Sequence, residues 1–192
     1  MRAQGIFFKY FVRILHRVYE KIDQDLRAEY DRSLSFQDGF FDRWERAKRL
    51  GFSEGASIYN SAAVFGKVIV GRRTWIGPNA LLDGSGGELT IGEFCSISAG
   101  VHIYTHDTMS WALTGGKAVA RKGNVSIGDH CYIAAQCVIS AGVSIGEGAV
   151  VAANSFVNKD LVGGFVYAGS PVCQIGKIRI IGEHVSIDYF DK

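Results

Sequence analysis

From Ile127 to Val157 an aliphatic residue stands at every sixth position: Ile127, Ile133, Ile139, Ile145, Val151 and Val157. No other feature of the 192-residue chain constrains its fold so tightly. The next residue after the first five is small (Gly128, Ala134, Ser140, Gly146, Ala152), and the fourth is small or slim (Cys131, Cys137, Val143, Ala149, Ser155). A period of six matches neither the α-helical turn nor the two-residue alternation of a plain strand. It matches short strands joined by tight turns, one turn per repeat, wound into a parallel β-helix.

The same beat runs earlier through Ile58, Val64, Val70, Ile76 and Leu82, with Ala62, Val68, Thr74 and Ala80 in the small slot. It slips between Leu82 and Ile91. The intervening Asp83 to Glu88, which includes Gly84, Ser85, Gly86 and Gly87, is expected to bulge outward at a corner. A phosphate-cradling loop is the alternative, but no helix-opening pattern follows. Ile91, Ile97 and Ile103 resume the beat, with Cys95 and Val101 in the small slot. From Thr105 to Asn124 it is absent. Repeat folds accept insertions at corners, because the coils on either side still stack. A loop of this length in a compact domain is usually functional or disordered, and this one holds His106, Asp107, Trp111, Lys117, Arg121 and Lys122, a mixture suited to a polar substrate. If three hexads make one triangular turn rising about 4.8 Å, residues 58–162 give about five coils around a column of Ile and Val.

A formal charge of +2 and a pI near 8.3 imply no bulk attraction to nucleic acid. With 24 glycines and 2 prolines the composition suits repeated tight turns. Three of the four cysteines, Cys95, Cys131 and Cys137, share the small slot and read as reduced packing residues. Neither a signal peptide nor a run of about 20 apolar residues is evident, so a cytoplasmic address is expected.

Residues 3 to about 33 read as one amphipathic helix. Phe7, Phe8, Phe11, Ile14, Leu15, Val18, Ile22 and Leu26 recur at steps of three and four. Such a stripe is expected to dock on the protein's own body or a neighbouring subunit. The alternative is peripheral contact with the inner face of a membrane, because Arg2, Lys9, Arg13, Arg17 and Lys21 outnumber the acids around them. Asp42 is placed to cap a second short helix through about Leu50, with Gly51 as its stop. The organisation expected is a helical segment over 1–55, a β-helix over 56–174, and a tail over 175–192. In that tail Ile175, Ile181 and Ile187 again step by six, which suggests extra strand.

The hexads, the run VSIGDHCYIAAQCVISAGVSIGEGAVVAANSFVNKDL and the following VYAGSP resemble the left-handed β-helix acyltransferases, in the branch of maltose, galactoside and polysaccharide O-acetyltransferases. The resemblance implies an all-β main domain wound left-handed, although crossovers between parallel strands are generally right-handed. It implies a homotrimer with active sites between adjacent prisms, acetyl-CoA as co-substrate without a metal, and a saccharide or sugar-nucleotide acceptor. His106, which opens the external loop, corresponds to the family's catalytic histidine. A neutral imidazole near pH 7 can take the proton from an attacking hydroxyl. His102 is the fallback base, Asp107 a candidate to orient an imidazole, and Trp111 a candidate wall of the acceptor pocket. The cofactor-binding residues implied are Tyr132, Ala135, Ala153, Asn158, Lys159 and Lys177. Lys177 or Arg179 replaces the basic residue that the family carries soon after its glycine-x-proline turn, where this chain has Val172, Cys173 and Gln174. N-acetylation of a nucleotide-linked amino sugar is the runner-up. A zinc carbonic anhydrase using His102, His106 and His130, or a non-catalytic β-helix, ranks lower.

Overall fold

The computed structural model describes residues 2–190, leaving aside the side chains of residues 2–4 and 6. Arg2, counted above among the helix's cations, falls among those side chains, and residues 191–192 of the expected tail lie outside the described range. The chain divides into two compact units, Met1–Arg43 and Trp44–Lys192.

In the first unit α1 (Arg2–Tyr30) is the helix read from the three-and-four spacing. The pairs Lys21–Asp25 (2.5 Å) and Asp23–Arg27 (2.8 Å) staple one turn to the next. It ends where Asp31 takes φ +53°. The returning chain carries α2 (Phe36–Phe40), too short to show a period in the sequence. This return covers the second half of the apolar stripe. The Tyr19 hydroxyl donates to the Leu34 carbonyl at 2.8 Å, and the Tyr19 and Phe36 rings lie 5.8 Å apart. Ile22 and Leu26 are half-buried there.

α3 (Arg43–Arg49) forms in the place expected between Asp42 and Leu50, and all of it but Arg43 belongs to the second unit. Gly51 stops it at φ +75°. The Gly51 N–H donates to Lys48 O and the Phe52 N–H to Ala47 O, both at 3.1 Å, the paired bonds of a Schellman cap. Ala47 and Phe52 are buried in the same core as the hexad aliphatics. Residues 44–55 therefore pack with the β-helix rather than with the helical segment to which the sequence assigned them.

The strands follow in chain order. The first four are β1 (Ser57–Ile58), β2 (Ala63–Val70), β3 (Trp75–Ile76) and β4 (Leu81–Ile91). Next come β5 (Ser96–Ile97), β6 (His102–Tyr104) and β7 (His106–Asp107), the short helix α4 (Met109–Leu113), and β8 (Arg121–Lys122). The hexads then give β9 (Val125–Ile127), β10 (Tyr132–Ile133), β11 (Val138–Ile139), β12 (Ser144–Ile145), β13 (Val150–Val151) and β14 (Phe156–Val157). The chain closes with β15 (Phe165–Ala168), β16 (Cys173–Ile181) and β17 (His184–Tyr189).

Pairing resolves these strands into three faces. On the first, Ile58, Ile76, Ile97, Ile133, Val151 and Tyr167 lie in parallel register. On the second the column is Val64, Leu82, Ile103, Ile139 and Val157. On the third it is Val70, Ile91, Ile127, Ile145 and Leu161. β2 and β4 are long because each runs from the second face to the third as one strand, their mutual register shifting between Gly66 and Val68 on the way. This is the expected left-handed parallel β-helix, with its helix and one external loop. All but Val64 in these columns are buried, and each such aliphatic stabilises the fold by about 2 kcal/mol. The corners use left-handed backbone: Asn79, Gly100, Gln136 and Asn154 at one, and Arg73, Phe94, His130 and Gly148 at another. At the latter, Arg73, Phe94 and His130 stack in a column.

Two expectations change in detail. The slip at residues 83–88 lies within the long strand β4 rather than in a separate corner loop, and the extra residues form a bulge there, Ser85 to Glu88 standing opposite the single Lys67 of β2. Here two inserted stretches lie side by side and satisfy each other's backbone, as described below. The tail forms an antiparallel hairpin, with β15, β16 and β17 adjacent in the sheet of the first face.

Candidate active site

A cleft of about 450 Å³ opens on the second face, beneath the external loop. Its floor is Tyr104, Val138 and Phe156, which point outward because they alternate with the inward Ile103, Ile139 and Val157. The loop supplies His106, Asp107, Thr108 and Arg121, and Ser140 and Ala141 form the corner.

The loop is a folded arm. β7 pairs antiparallel with β8, His106 opposite Lys122 and Asp107 opposite Arg121, and α4 fills the interval. Thr105 anchors its base. This residue is fully buried, its hydroxyl donates to Asp83 O at 2.7 Å and accepts from the Gly86 N–H at 3.0 Å, and its carbonyl accepts from the Gly123 N–H at 2.9 Å. The Asn124 side chain accepts from the Glu88 N–H at 2.9 Å. Both ends of the arm are thus tied to the inserted middle of β4. Only glycine fits at position 86, where a Cβ would stand 2.4 Å from the His106 Cβ and 2.6 Å from Thr105 O.

His106 follows directly from this anchor. Its Nδ1 lies 3.3 Å from Asp83 Oδ2 and 3.5 Å from Ser85 Oγ. Asp83 is set in turn: its Oδ1 accepts from the Ser85 N–H at 2.9 Å and the Ser85 hydroxyl at 2.6 Å. The carboxylate is 9% exposed and the imidazole 31%. This geometry favours a proton on Nδ1, facing the carboxylate, and leaves the Nε2 lone pair for a substrate. Asp83 and Ser85 were missed in the sequence, where the glycines around them read as a turn. Asp107, the expected orienting group, lines the cleft but accepts from the Met109 N–H at 3.2 Å, at the start of α4. His102 sits outward on β6 with its Nδ1 3.3 Å from the Tyr104 hydroxyl. It is not among the residues lining the cleft, and neither is Trp111, which is 53% exposed on α4. The Arg121 guanidinium reaches the Ala141 carbonyl at 3.3 Å.

The residues expected at the cofactor do not converge within one chain. Ala135 and Ala153 are stacked at the corner between the first and second faces, where the Asn154 N–H donates to Ala135 O at 3.0 Å. Among the described residues the Ala135 and Ala153 amides have no acceptor, so both are available to a ligand carbonyl. Asn158 and Lys159 are exposed on the opposite edge of the second face, one coil beyond Ser140. Tyr132 is outward on the first face, 45% exposed. Lys177 lies on β16, 6.0 Å from the Phe165 ring, and Arg179 pairs with Asp188. His130 stacks on Phe94 at 5.5 Å, at a different corner from the cleft. Among the described residues no three His, Cys, Asp or Glu side chains gather where they would hold a metal. The buried thiols read as packing groups: burial pushes Cys137 up, and the bond with Cys95 together with burial pushes Cys131 up.

Residues 124–159 match the family described as bacterial transferase hexapeptide (six repeats). A chloramphenicol acetyltransferase of Morganella morganii is 33% identical over 121 residues, which cover 52% of this chain and 56% of that protein. The putative colanic acid biosynthesis acetyltransferase WcaF of Escherichia coli K12 is 33% identical over 111 residues, covering 57% and 58%. This chain thus spans little more than half the length of these relatives. Among solved structures, a variant of AntD, an N-acyltransferase from Bacillus cereus in complex with dTDP and coenzyme A, superposes with a TM-score of 0.56 at 28% identity. That match covers 68% of this chain and 87% of that one. Residues 124–159 thus carry the hexapeptide repeat of bacterial transferases, set within a stack of short parallel strands on three faces.

Proposed function

We propose that this protein transfers an acetyl group from acetyl-CoA to a hydroxyl of a saccharide or polysaccharide precursor, by direct attack with His106 as general base. The observation that carries the reading is the imidazole at the cleft, backed by a buried carboxylate on one nitrogen and open on the other. The relatives named as acetyltransferases, and the AntD complex with coenzyme A, supply the acyl donor class.

In the proposed step His106 Nε2 removes the acceptor's hydroxyl proton as its oxygen bonds to the thioester carbonyl carbon. The tetrahedral oxyanion is met by a backbone N–H. The carbon–sulfur bond then breaks and the imidazolium returns its proton to the departing thiolate, so the enzyme ends unchanged. Asp83 stabilises the imidazolium without taking its proton. Tyr132, Ala135, Ala153, Asn158, Lys159 and Lys177 hold the donor, with Ala135 and Ala153 offering free amides to the pantetheine arm. Because these residues divide between two faces, the groove is completed between neighbouring copies in a homotrimer, first face against second. Trp111 bounds the acceptor from the exposed arm.

Arg121 favours a second reading. A cation in the cleft suits a phosphate-bearing acceptor, and the same base serves N-acetylation of a nucleotide-linked amino sugar. Labelled acetyl-CoA offered with neutral saccharides and with nucleotide-linked amino sugars separates the two. A base-labile ester on a saccharide supports the first, and a base-stable amide on an amino sugar the second. His106→Ala should leave folding intact and lower kcat by about a hundredfold or more, the scale of a lost general base. Full activity in that variant would remove His106 from the mechanism.

A further inference from the structure

The return segment in the first unit covers only part of the apolar stripe of α1. Ile22 and Leu26 are half-buried, but Phe7 is 78% exposed, Phe8 67% and Phe11 53%, and Ile14 and Val18 are exposed beside them. Phe7, Phe11, Ile14 and Val18 follow one another at four, three and four residues, so they share one side of the helix. The opposite side is basic. Lys9, Arg13 and Arg17 step by four, and no acidic residue precedes Glu20. Glu20 and Asp25 then pair with His16 and Lys21, leaving the cationic row uncompensated toward the N-terminal side.

We propose that the first half of α1 lies in the headgroup layer of an anionic lipid bilayer, with its phenylalanines in the acyl boundary and its cations at the lipid phosphates. From Phe7 to Val18 the helix is about 17 Å long at 1.5 Å per residue, which suits a segment lying flat. Among the described residues no helix is long and apolar enough to cross a membrane. The charge selects this occupant over a second copy: an identical helix brings the same uncompensated cations, whereas an anionic surface neutralises them. The inference does not depend on the acetyl-transfer reading.

The test uses the full chain with vesicles of phosphatidylcholine, alone or mixed with phosphatidylglycerol, and sedimentation as the readout. Binding to the mixed vesicles should exceed binding to the neutral ones by at least about tenfold and weaken as salt rises. Phe7→Ser with Phe11→Ser should abolish sedimentation while circular dichroism and light-scattering mass stay unchanged. Lys9→Glu with Arg13→Glu should remove the preference for the mixed vesicles. The proposal fails if the chain sediments with neither vesicle, or equally with both. It also fails if the phenylalanine variant lowers the mass in the absence of lipid, because the face then belongs to another copy.

Discussion

Asp83 does for His106 what Asp107, its sequence neighbour, does not. The carboxylate comes from the preceding coil, is almost fully buried, and is held by two bonds from Ser85. Asp83→Asn keeps the volume but presents either an N–H or a neutral carbonyl to Nδ1. Turnover is expected to fall at least about tenfold, with KM for acetyl-CoA little changed, because the imidazolium loses its counter-charge. Asp107→Asn should cost less, and steady-state kinetics on both variants would reverse the assignment if the order inverted. Gly86→Ala places a methyl group against the His106 Cβ and Thr105 O. Displacing the base by about 1 Å is expected to lower kcat by roughly a hundredfold, and the melting temperature should fall as well because the Thr105 backbone must shift. The proposed role of His106 came from the family resemblance, which places a histidine at the start of the external loop, and the sequence could place His106 in the stretch where the beat fails. Asp83 was not legible, because no local pattern says that residues one coil apart will touch.

The hexad was legible as an element because each inward aliphatic repeats the same local problem: one buried side chain, then a tight turn. Its columns put Ile133 between Ile97 and Val151, with no exposure to solvent. Ile133→Asp would bury a carboxylate without a partner, a penalty of several kcal/mol against a total stability of about 5–15 kcal/mol. No cooperative thermal transition is expected for this variant by circular dichroism. A melting temperature within a few degrees of the parent would show that the column does not carry the fold. The phase slip was visible but its form was not. Two insertions on adjacent coils, residues 83–88 and the arm from Thr105 to Asn124, exchange hydrogen bonds through Thr105 and Asn124. Pairing between insertions has no signature in either one alone. The corner residues were equally hidden, since Arg73, Phe94 and His130 adopt a left-handed backbone usually left to glycine or asparagine.

For the molecule as a whole, the spread of the expected donor-binding residues over two faces leads to a prediction about assembly. Light scattering should give a mass three times the 20.9 kDa of the chain. A monomer with full activity would show that one chain completes the groove. The division at residue 43, rather than near 55, was illegible because the burial of Ala47 and Phe52 depends on the first coil they meet. That same contact bears on how assembly can proceed. An open column of parallel strands ends in unpaired amides and carbonyls and invites another column to stack on it. Here the Arg46 guanidinium occupies the Tyr59 and Ala62 carbonyls at one end, and the reversed strands β16 and β17 follow β15 toward the other. Capped in this way, the two ends disfavour end-to-end fibre growth, and the flanks, one of which carries the cleft, are the surfaces on which the proposed trimer would form.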